Sequence, residues 1–151
     1  RGVHFLFAHS AFVWDRALRG CRVLLMSVVV FHSCVALGAL VSAGDHLLVS
    51  DSVYGPTRTF CNQLLTRYGV TTEYYSPDIG VAIAGLIQEN TRLVFMEAPG
   101  SLTFEMQDIT GITRAAKEKG VWTVRDNTWA TPVFFRSLEH GVAFSTQDGL
   151  K

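Results

Sequence analysis

Residues 121–132 read V-W-T-V-R-D-N-T-W-A-T-P, an apolar run of strand type that ends abruptly at Asp126 and Asn127. Ligands of open α/β sheets bind beyond the carboxyl ends of the strands, so a carboxylate at this point is well placed for chemistry. Aspartate and asparagine also end strands and stabilise the turns that follow them. Taken alone, this stretch supports two interpretations of Asp126 equally, catalytic carboxylate and strand terminator.

Strands and helices alternate on either side of that stretch. Besides the strand into Asp126, the pattern predicts strands at 46–50, 71–75, 92–97 and 142–147. It predicts helices from Pro56 to Gly69, from a cap at Asp78 to Ile87, from a cap at Asp108 to Lys119, and from Phe134 to His140. The first helix is expected to bury Phe60, Leu64, Leu65 and Tyr68. Such alternation is typical of βαβ units, so the predicted fold class is α/β, with a mainly parallel sheet flanked by helices.

The segment 23–43 carries no charge apart from a possible one on His32. About 20 apolar residues are enough to span a bilayer, so a membrane helix or signal segment is one interpretation. The other is a buried strand over 23–30 followed by a small-residue helix over 33–42. His32 and Ser33 in the middle of the run, and the α/β pattern that follows, favour the second interpretation.

Charge balance and cysteine spacing argue against several classes of function. Lysine and arginine together number 13, as do aspartate and glutamate, whereas binding of nucleic acid or an anionic membrane calls for a basic excess. The 3 cysteines are widely spaced without a CxxC pair, and the 5 histidines lack HExxH spacing. Reduced thiols in a cytoplasmic protein, without a metal site, are therefore expected.

Four reactive side chains follow predicted strands and are expected to meet at one edge of the sheet: Tyr54, Ser101, Asp126 and Lys151. A lysine amine can form a Schiff base with a carbonyl cofactor, and an aspartate can hold a pyridinium nitrogen protonated. A tyrosine can stack on a planar ring or act as a base. On residue types alone, each of these side chains could equally be an ordinary turn, loop or terminal residue.

Several motifs resemble those of the Cys/Met-metabolism family of pyridoxal phosphate enzymes. They are G-D-H-L-L-V at 44–49, D-S-V-Y-G-P-T at 51–57, V-F-M-E-A-P-G-S-L-T-F-E-M-Q-D-I at 94–109, D-N-T-W-A-T-P at 126–132 and F-F-R-S-L-E-H-G-V at 134–142. The E-A-P-G-S and D-N-T-W-A forms are similar to the bacterial cystathionine β-lyase branch. The resemblance implies the large cofactor-binding domain of the aspartate-aminotransferase-like architecture, fold type I.

The resemblance also implies roles for single residues. Tyr54 would stack on the pyridoxal phosphate ring and act in catalysis, and Asp126 would pair with the pyridine nitrogen. Ser101 and Thr128 would lie near the cofactor. S-T-Q-D-G-L-K at 145–151 is similar to the family's S-I-Q-A-A-T-K, which makes Lys151 the catalytic lysine that carries the cofactor.

Departures from the family pattern concentrate at both ends of the chain. Val28 and Val29 stand where the family has the Ser-Gly or Cys-Gly turn that binds phosphate, and valine suits such a turn poorly. Asp148 and Leu150 replace small or hydroxyl residues near the lysine, and Arg125 replaces an apolar strand residue. The predicted organisation is a divergent N-terminal segment, 1–43, of strand plus apolar helix, and a partial cofactor-binding domain, 44–151. A partial or degraded copy, with residues before about 40 read out of frame, is one hypothesis, and such a fragment is expected to be inactive alone.

For the complete enzyme, the resemblance implies cleavage of L-cystathionine to homocysteine, pyruvate and ammonia, a step of methionine biosynthesis. It further implies a cytoplasmic homotetramer that takes a small sulfur amino acid, with no nucleic-acid partner and no membrane. Two alternatives stay open. One is another member of the family, such as a methionine γ-lyase, a cystathionine γ-lyase or a γ-synthase. The other is a non-catalytic fragment, including one anchored by residues 23–43.

Overall fold

A computed structural model describes residues 31–147 of the chain. Five strands lie in this part: β1 (His46–Ser50), β2 (Thr71–Tyr75), β3 (Thr91–Glu97), β4 (Trp122–Asp126) and β5 (Phe144–Thr146). They form one sheet in the order β2-β1-β3-β4-β5, and every neighbouring pair is parallel. The predicted fold class is confirmed.

Helices cover both faces of this sheet. The α-helices are α1 (Phe31–Leu40), α2 (Gly55–Thr59), α3 (Ile109–Glu118) and α4 (Thr131–Phe134). A π-helical segment, Phe60–Leu65, continues α2, and 3₁₀ turns span Gly80–Gly85 and Ser137–His140.

Strand residues alternate between two apolar clusters, one on each face of the sheet. On one face, called the α1 face below, Leu47, Phe95 and Val124 pack with Leu37 of α1 and Cys61 of the π-helical segment. On the other, called the α3 face, the members include Leu48, Val94, Met96, Ile109 and Ile112. Because side chains alternate along a strand, the last residues of β3 and β4, Glu97 and Asp126, belong to the α1 face.

Helix α3 begins where the sequence predicted. The carboxylate of Asp108 accepts a 2.9 Å hydrogen bond from the backbone N–H of Gly111, so it satisfies one of the free donors of the first turn. At the other end, Lys119 is the C-cap and Gly120 has a φ of +73°, the left-handed conformation that glycine tolerates. The positive charge of Lys117 in the last turn also suits the helix dipole.

Three predictions about helices were wrong. The predicted helix from Asp78 to Ile87 is a 3₁₀ turn, and Asp78 accepts a hydrogen bond from Ser76 instead of capping it. Gly80, with a φ of +51°, interrupts regular helical geometry there. The predicted helix from Phe134 to His140 is also not formed, because Phe134 is the last residue of α4, Phe135 is extended, and Ser137–His140 is a 3₁₀ turn.

The third error concerns the helix after Pro56. Leu64 is 38% exposed and Tyr68 is 65% exposed, whereas Cys61 and Leu65 are buried. The π-helical segment has more residues per turn than an α-helix, so it shifts the buried face away from the positions that α-helical spacing predicts.

Helix α1 belongs to the same core as the sheet. Leu37 is fully buried, and complete burial of a leucine is worth about 1.5–3 kcal/mol. The helix is 10 residues long, and within residues 31–147 no helix is long and apolar enough to cross a membrane. The strand predicted over 23–30 lies outside the described residues.

Candidate active site

Asp126 is half-buried at the end of β4, and both of its carboxylate oxygens accept hydrogen bonds. Oδ1 accepts a hydrogen bond from the backbone N–H of Thr128 at 2.9 Å. This bond stabilises the turn after β4, as the strand-terminator interpretation predicts. Oδ2 accepts from the hydroxyl of Ser33 in α1, also at 2.9 Å. A carboxylate has about four acceptor positions, so each oxygen can still accept from a ligand.

Tyr54 lies just after β1, at the start of α2, and is 41% exposed. Its backbone N–H donates a 2.8 Å hydrogen bond to Oε2 of Glu97. Glu97 is the register partner of Asp126, so the two carboxylates project from neighbouring strands towards the same face of the sheet. The structure thus brings Tyr54 and Asp126 to one edge of the sheet, linked through Glu97.

Ser101 lies in the loop 98–107, which follows β3. Its backbone N–H donates a 2.8 Å hydrogen bond to the carbonyl oxygen of Ser52, and the N–H of Gly100 donates to Glu105 at 2.9 Å. A Cβ atom on Gly100 would lie 2.5 Å from the Cβ and Oγ atoms of Ser52. The loop therefore approaches the residues after β1 as closely as a glycine allows. Ser101 is bonded there to Ser52, which is two positions before Tyr54 in the sequence.

A buried polar network supports these loops from the α3 face. The Gln107 amide donates to Oγ of Ser50 at 2.9 Å and to the carbonyl oxygen of Glu97 at 2.6 Å. The hydroxyl of Tyr75 donates to the carbonyl oxygen of Phe95 at 3.0 Å and to Oε1 of Gln107 at 3.1 Å. Complete burial raises the pKa of Tyr75, so this hydroxyl remains a donor. The ends of β1, β2 and β3 are thus tied together beneath the site.

The loops after β3 and β4 also touch each other on the outer side. The rings of Phe104 and Trp129 meet edge to face with centroids 5.1 Å apart. Thr128, next to Trp129, donates its backbone N–H to Asp126 and is half-buried. Tyr54, Ser101, Asp126 and Thr128 are thus placed on three neighbouring strand ends.

Lys151 lies outside the described residues, as do the other positions predicted to bear on phosphate binding: Val28, Val29, Asp148 and Leu150. The roles assigned to them from the sequence stay predictions. Among residues 31–147, no group of three or more His, Cys, Asp or Glu side chains is arranged to hold a metal ion.

Sequence reasoning missed two residues that organise the site, Ser33 and Glu97. Each had a local signal, since Ser33 is a polar residue inside an apolar run and Glu97 is a charge at the end of an apolar strand. Glu97 is 6% exposed and Ser33 is equally buried. Burial of polar groups at this edge marks them as parts of a hydrogen-bonded site.

Comparison with known proteins assigns the chain to a family. A model of the family described as "Cys/Met metabolism PLP-dependent enzyme" matches residues 19–151. The chain belongs to this family. The family depends on pyridoxal phosphate, in agreement with the resemblance seen in the motifs.

Relatives within the Cys/Met-metabolism family cover most of the chain. A relative from Rhizobium johnstonii is 58% identical over 111 residues, or 74% of this chain and 28% of its own length. One from Saccharomyces cerevisiae is 45% identical over 138 residues, or 91% of this chain and 41% of its own length. Both carry the provisional name cystathionine beta-lyase. The chain thus spans less than half the length of either relative.

A solved structure from the same group has the same fold. The cystathionine gamma-lyase from Lactobacillus plantarum, complexed with L-serine, matches with a TM-score of 0.68 and 29% identity. The match covers 73% of this chain and 29% of that one. The five-stranded parallel sheet is therefore part of the fold type I architecture of these enzymes.

The described residues fit the ring of pyridoxal phosphate. Asp126 offers a half-buried carboxylate with acceptor capacity to spare, which suits a protonated pyridine nitrogen. Tyr54 offers an exposed aromatic ring at the same edge of the sheet. When bound, the cofactor acts as an electron sink that stabilises negative charge at the substrate's α-carbon.

Proposed function

We propose that the complete protein is a pyridoxal-phosphate-dependent carbon–sulfur β-lyase that cleaves L-cystathionine to homocysteine, pyruvate and ammonia. The observation that carries the proposal is the placement of Asp126, Glu97 and Tyr54 on neighbouring strand ends in a chain of this family. The choice of β-cleavage is supported by the relatives. The Haemophilus influenzae protein named cystathionine beta-lyase is 44% identical over 75% of this chain.

In the proposed site, Asp126 holds the proton of the pyridine nitrogen, and Ser33 and the Thr128 backbone orient its carboxylate. Tyr54 covers the ring, and its place is set by the hydrogen bond to Glu97. Ser101 and Thr128 flank the ring from the loops after β3 and β4. Lys151 carries the cofactor and moves the proton from the substrate's α-carbon, a role that the motif resemblance supports.

The proposal extends to the setting of the complete protein. We expect a cytoplasmic homotetramer whose substrate is a small sulfur amino acid. Because the chain spans less than half of its relatives' length, we expect it to be inactive alone or nearly so.

A second candidate is γ-cleavage or γ-replacement within the same family. It is favoured by the fold match to a protein named cystathionine gamma-lyase, at 29% identity. A relative from Wolbachia pipientis is 40% identical over 75% of the chain and is named L-alanine/L-glutamate racemase. Relatives of this chain are thus named for more than one type of reaction. All these reactions are consistent with the same placement of Asp126 and Tyr54.

Cofactor binding is tested by titrating the chain with pyridoxal phosphate and recording its visible absorption. We expect a new band that is lost in Lys151→Ala and kept in Lys119→Ala, an exposed lysine at the end of α3. Asp126→Asn should keep the band but weaken binding, because an amide cannot hold the pyridine nitrogen protonated as a carboxylate does. A folded chain that gives no band would refute cofactor binding by this chain.

Reaction type is tested on the complete protein loaded with pyridoxal phosphate, by supplying L-cystathionine and identifying the products. Homocysteine with pyruvate supports the proposed β-lyase, because the bond from sulfur to the β-carbon of the cysteine-derived half has broken. Cysteine with 2-oxobutanoate would instead support γ-cleavage. Racemisation of alanine without either product would favour the chemistry named for the Wolbachia relative.

A further inference from the structure

Arg125 is the largest side chain that is fully buried in the described part of the chain, with only 2% of its surface exposed. It precedes Asp126 on β4, so the alternation of the strand directs it to the α3 face, behind the candidate site. Burial lowers the pKa of Arg125 to about 10, and the charge of Asp126 opposes that shift. The guanidinium therefore stays charged at neutral pH.

The guanidinium contacts three separate segments of the chain. Nη2 donates a 2.5 Å hydrogen bond to the carbonyl oxygen of Ala98, at the start of the loop that carries Ser101. Nη1 donates to Oδ1 of Asn127 and, at 2.9 Å, to Oγ of Ser137. The group also lies over the ring of Phe135, 4.1 Å from its centroid.

Burial of a charged group costs several kcal/mol unless hydrogen bonds compensate for it. Arg125 makes no salt bridge among the described residues, and its Nε has no partner there. Its compensation comes from neutral acceptors on the two loops and from the 3₁₀ turn at Ser137. Each of these charge-assisted bonds holds an acceptor at a defined place relative to the sheet.

Two of those acceptors adjoin candidate cofactor residues. Ala98 is three positions before Ser101, and Asn127 is directly before Thr128. The contact between Phe104 and Trp129 joins the same two loops on the outer side. The loops are thus linked on both sides, and Arg125 provides a charged link between them.

We propose that Arg125 is a positioning residue that fixes the spacing between the loop carrying Ser101 and the loop carrying Thr128, and so sets the affinity for pyridoxal phosphate. The inference rests on the proposed function, because it assigns a role in holding the same cofactor. A lysine at this position has one ammonium group in place of the planar fork and cannot reach all three acceptors. A methionine keeps an unbranched apolar stem that reaches about as far as Nε, and it loses every donor.

The test compares Arg125→Met and Arg125→Lys with Arg92→Met. Arg92 is the matched control, an exposed arginine over the ring of Trp122 at the opposite end of the sheet. Backbone hydrogen exchange is measured without cofactor over residues 98–107 and 127–131. Affinity is then measured by titration with pyridoxal phosphate, and the thermal midpoint of each variant reports global stability.

We expect Arg125→Met to exchange faster in both loops, with α3 and β1 still protected. It should also bind the cofactor roughly tenfold more weakly, because the two loops are no longer held at a fixed spacing. The exchange rates and cofactor affinity of Arg125→Lys should lie between those of Arg125→Met and those of the unmodified chain. Arg92→Met should match the unmodified chain in both measurements. Unchanged exchange in both loops, or a cofactor affinity equal to that of Arg92→Met, would overturn the proposal. If the methionine variant does not fold, Arg125→Lys is judged by the same two criteria.

The two proposals fail in different ways. If the unmodified chain binds no pyridoxal phosphate, the proposed function fails for this chain. The exchange measurement then decides the role of Arg125 by itself, since faster exchange confined to both loops supports the positioning role and unchanged exchange refutes it.

Discussion

The hydroxyl of Ser33 donates a 2.9 Å hydrogen bond to Oδ2 of Asp126, across 93 positions of sequence. It joins the first turn of α1 to the end of β4 and orients the carboxylate at the centre of the candidate site. The same hydroxyl lies 3.4 Å from Oγ1 of Thr146 in β5. One buried serine therefore ties α1 to β4 and β5.

Ser33→Ala should lower the free energy of unfolding by about 1–2 kcal/mol, because it removes a hydrogen bond to a charged, half-buried group. Urea denaturation measures the effect. Ser42→Ala is the control, since Ser42 is exposed just beyond the end of the same helix. Equal unfolding midpoints for the two variants would contradict the prediction.

Gly100→Ala should destabilise the chain by about 1–3 kcal/mol, because its Cβ would enter the space of Ser52 and push the loop of Ser101 away from β1. Gly55→Ala is the matched control, since a Cβ there meets no atom within 4 Å, and it should be neutral or slightly stabilising. Thermal unfolding of both variants checks the difference. Similar losses at the two glycines would show that the close approach to Ser52 is unimportant.

Asp108→Ala should cost about 1 kcal/mol of stability, the usual effect of losing an N-cap side chain. Asp78→Ala should cost less, because Asp78 bonds to Ser76 and does not cap a helix. Chemical denaturation measures the free energy of unfolding of both variants. Asp108→Asn serves as a control, because asparagine can still cap the helix. A greater loss at Asp78 than at Asp108 would be inconsistent with this structure.

Stability should fall at alkaline pH through two buried thiols. Burial raises the pKa of Cys34 to about 11 and that of Cys61 to about 12, from 9.0. Below pH 9 both thiols are protonated in the folded and unfolded states, so their contribution is constant. As the pH rises from about 9 to about 12 the unfolded chain loses protons that the folded chain retains, so the free energy of unfolding decreases.

The measurement is the urea midpoint as a function of pH for the unmodified chain and for the Cys34→Ala, Cys61→Ala double variant. The double variant should lose less stability above pH 9, since it lacks both of the thiols whose pKa values burial raises. Parallel curves for the two proteins would rule out a contribution from the thiols.

Local patterns were sufficient to predict most of the sheet. The strands His46–Ser50 and Thr71–Tyr75 were predicted at their observed bounds, the next-to-last strand at its observed end, Asp126, and Asp108 as a cap. The errors fall where local spacing is a poor guide to geometry. The π-helical segment after Thr59 and the extended conformation of Phe135 both depart from regular α-helical geometry, which the spacing of apolar residues assumes.

The sequence by itself determined the alternation of strands and helices, the family motifs and the placement of Asp126 at a strand end. Those features depend on neighbouring residues, through side-chain period and capping chemistry. Tertiary structure alone decided that Ser33 and Glu97 join the site and that Arg125 lies behind it. These relationships depend on sheet order and register, which bring together residues that are far apart in the chain and that no local pattern links.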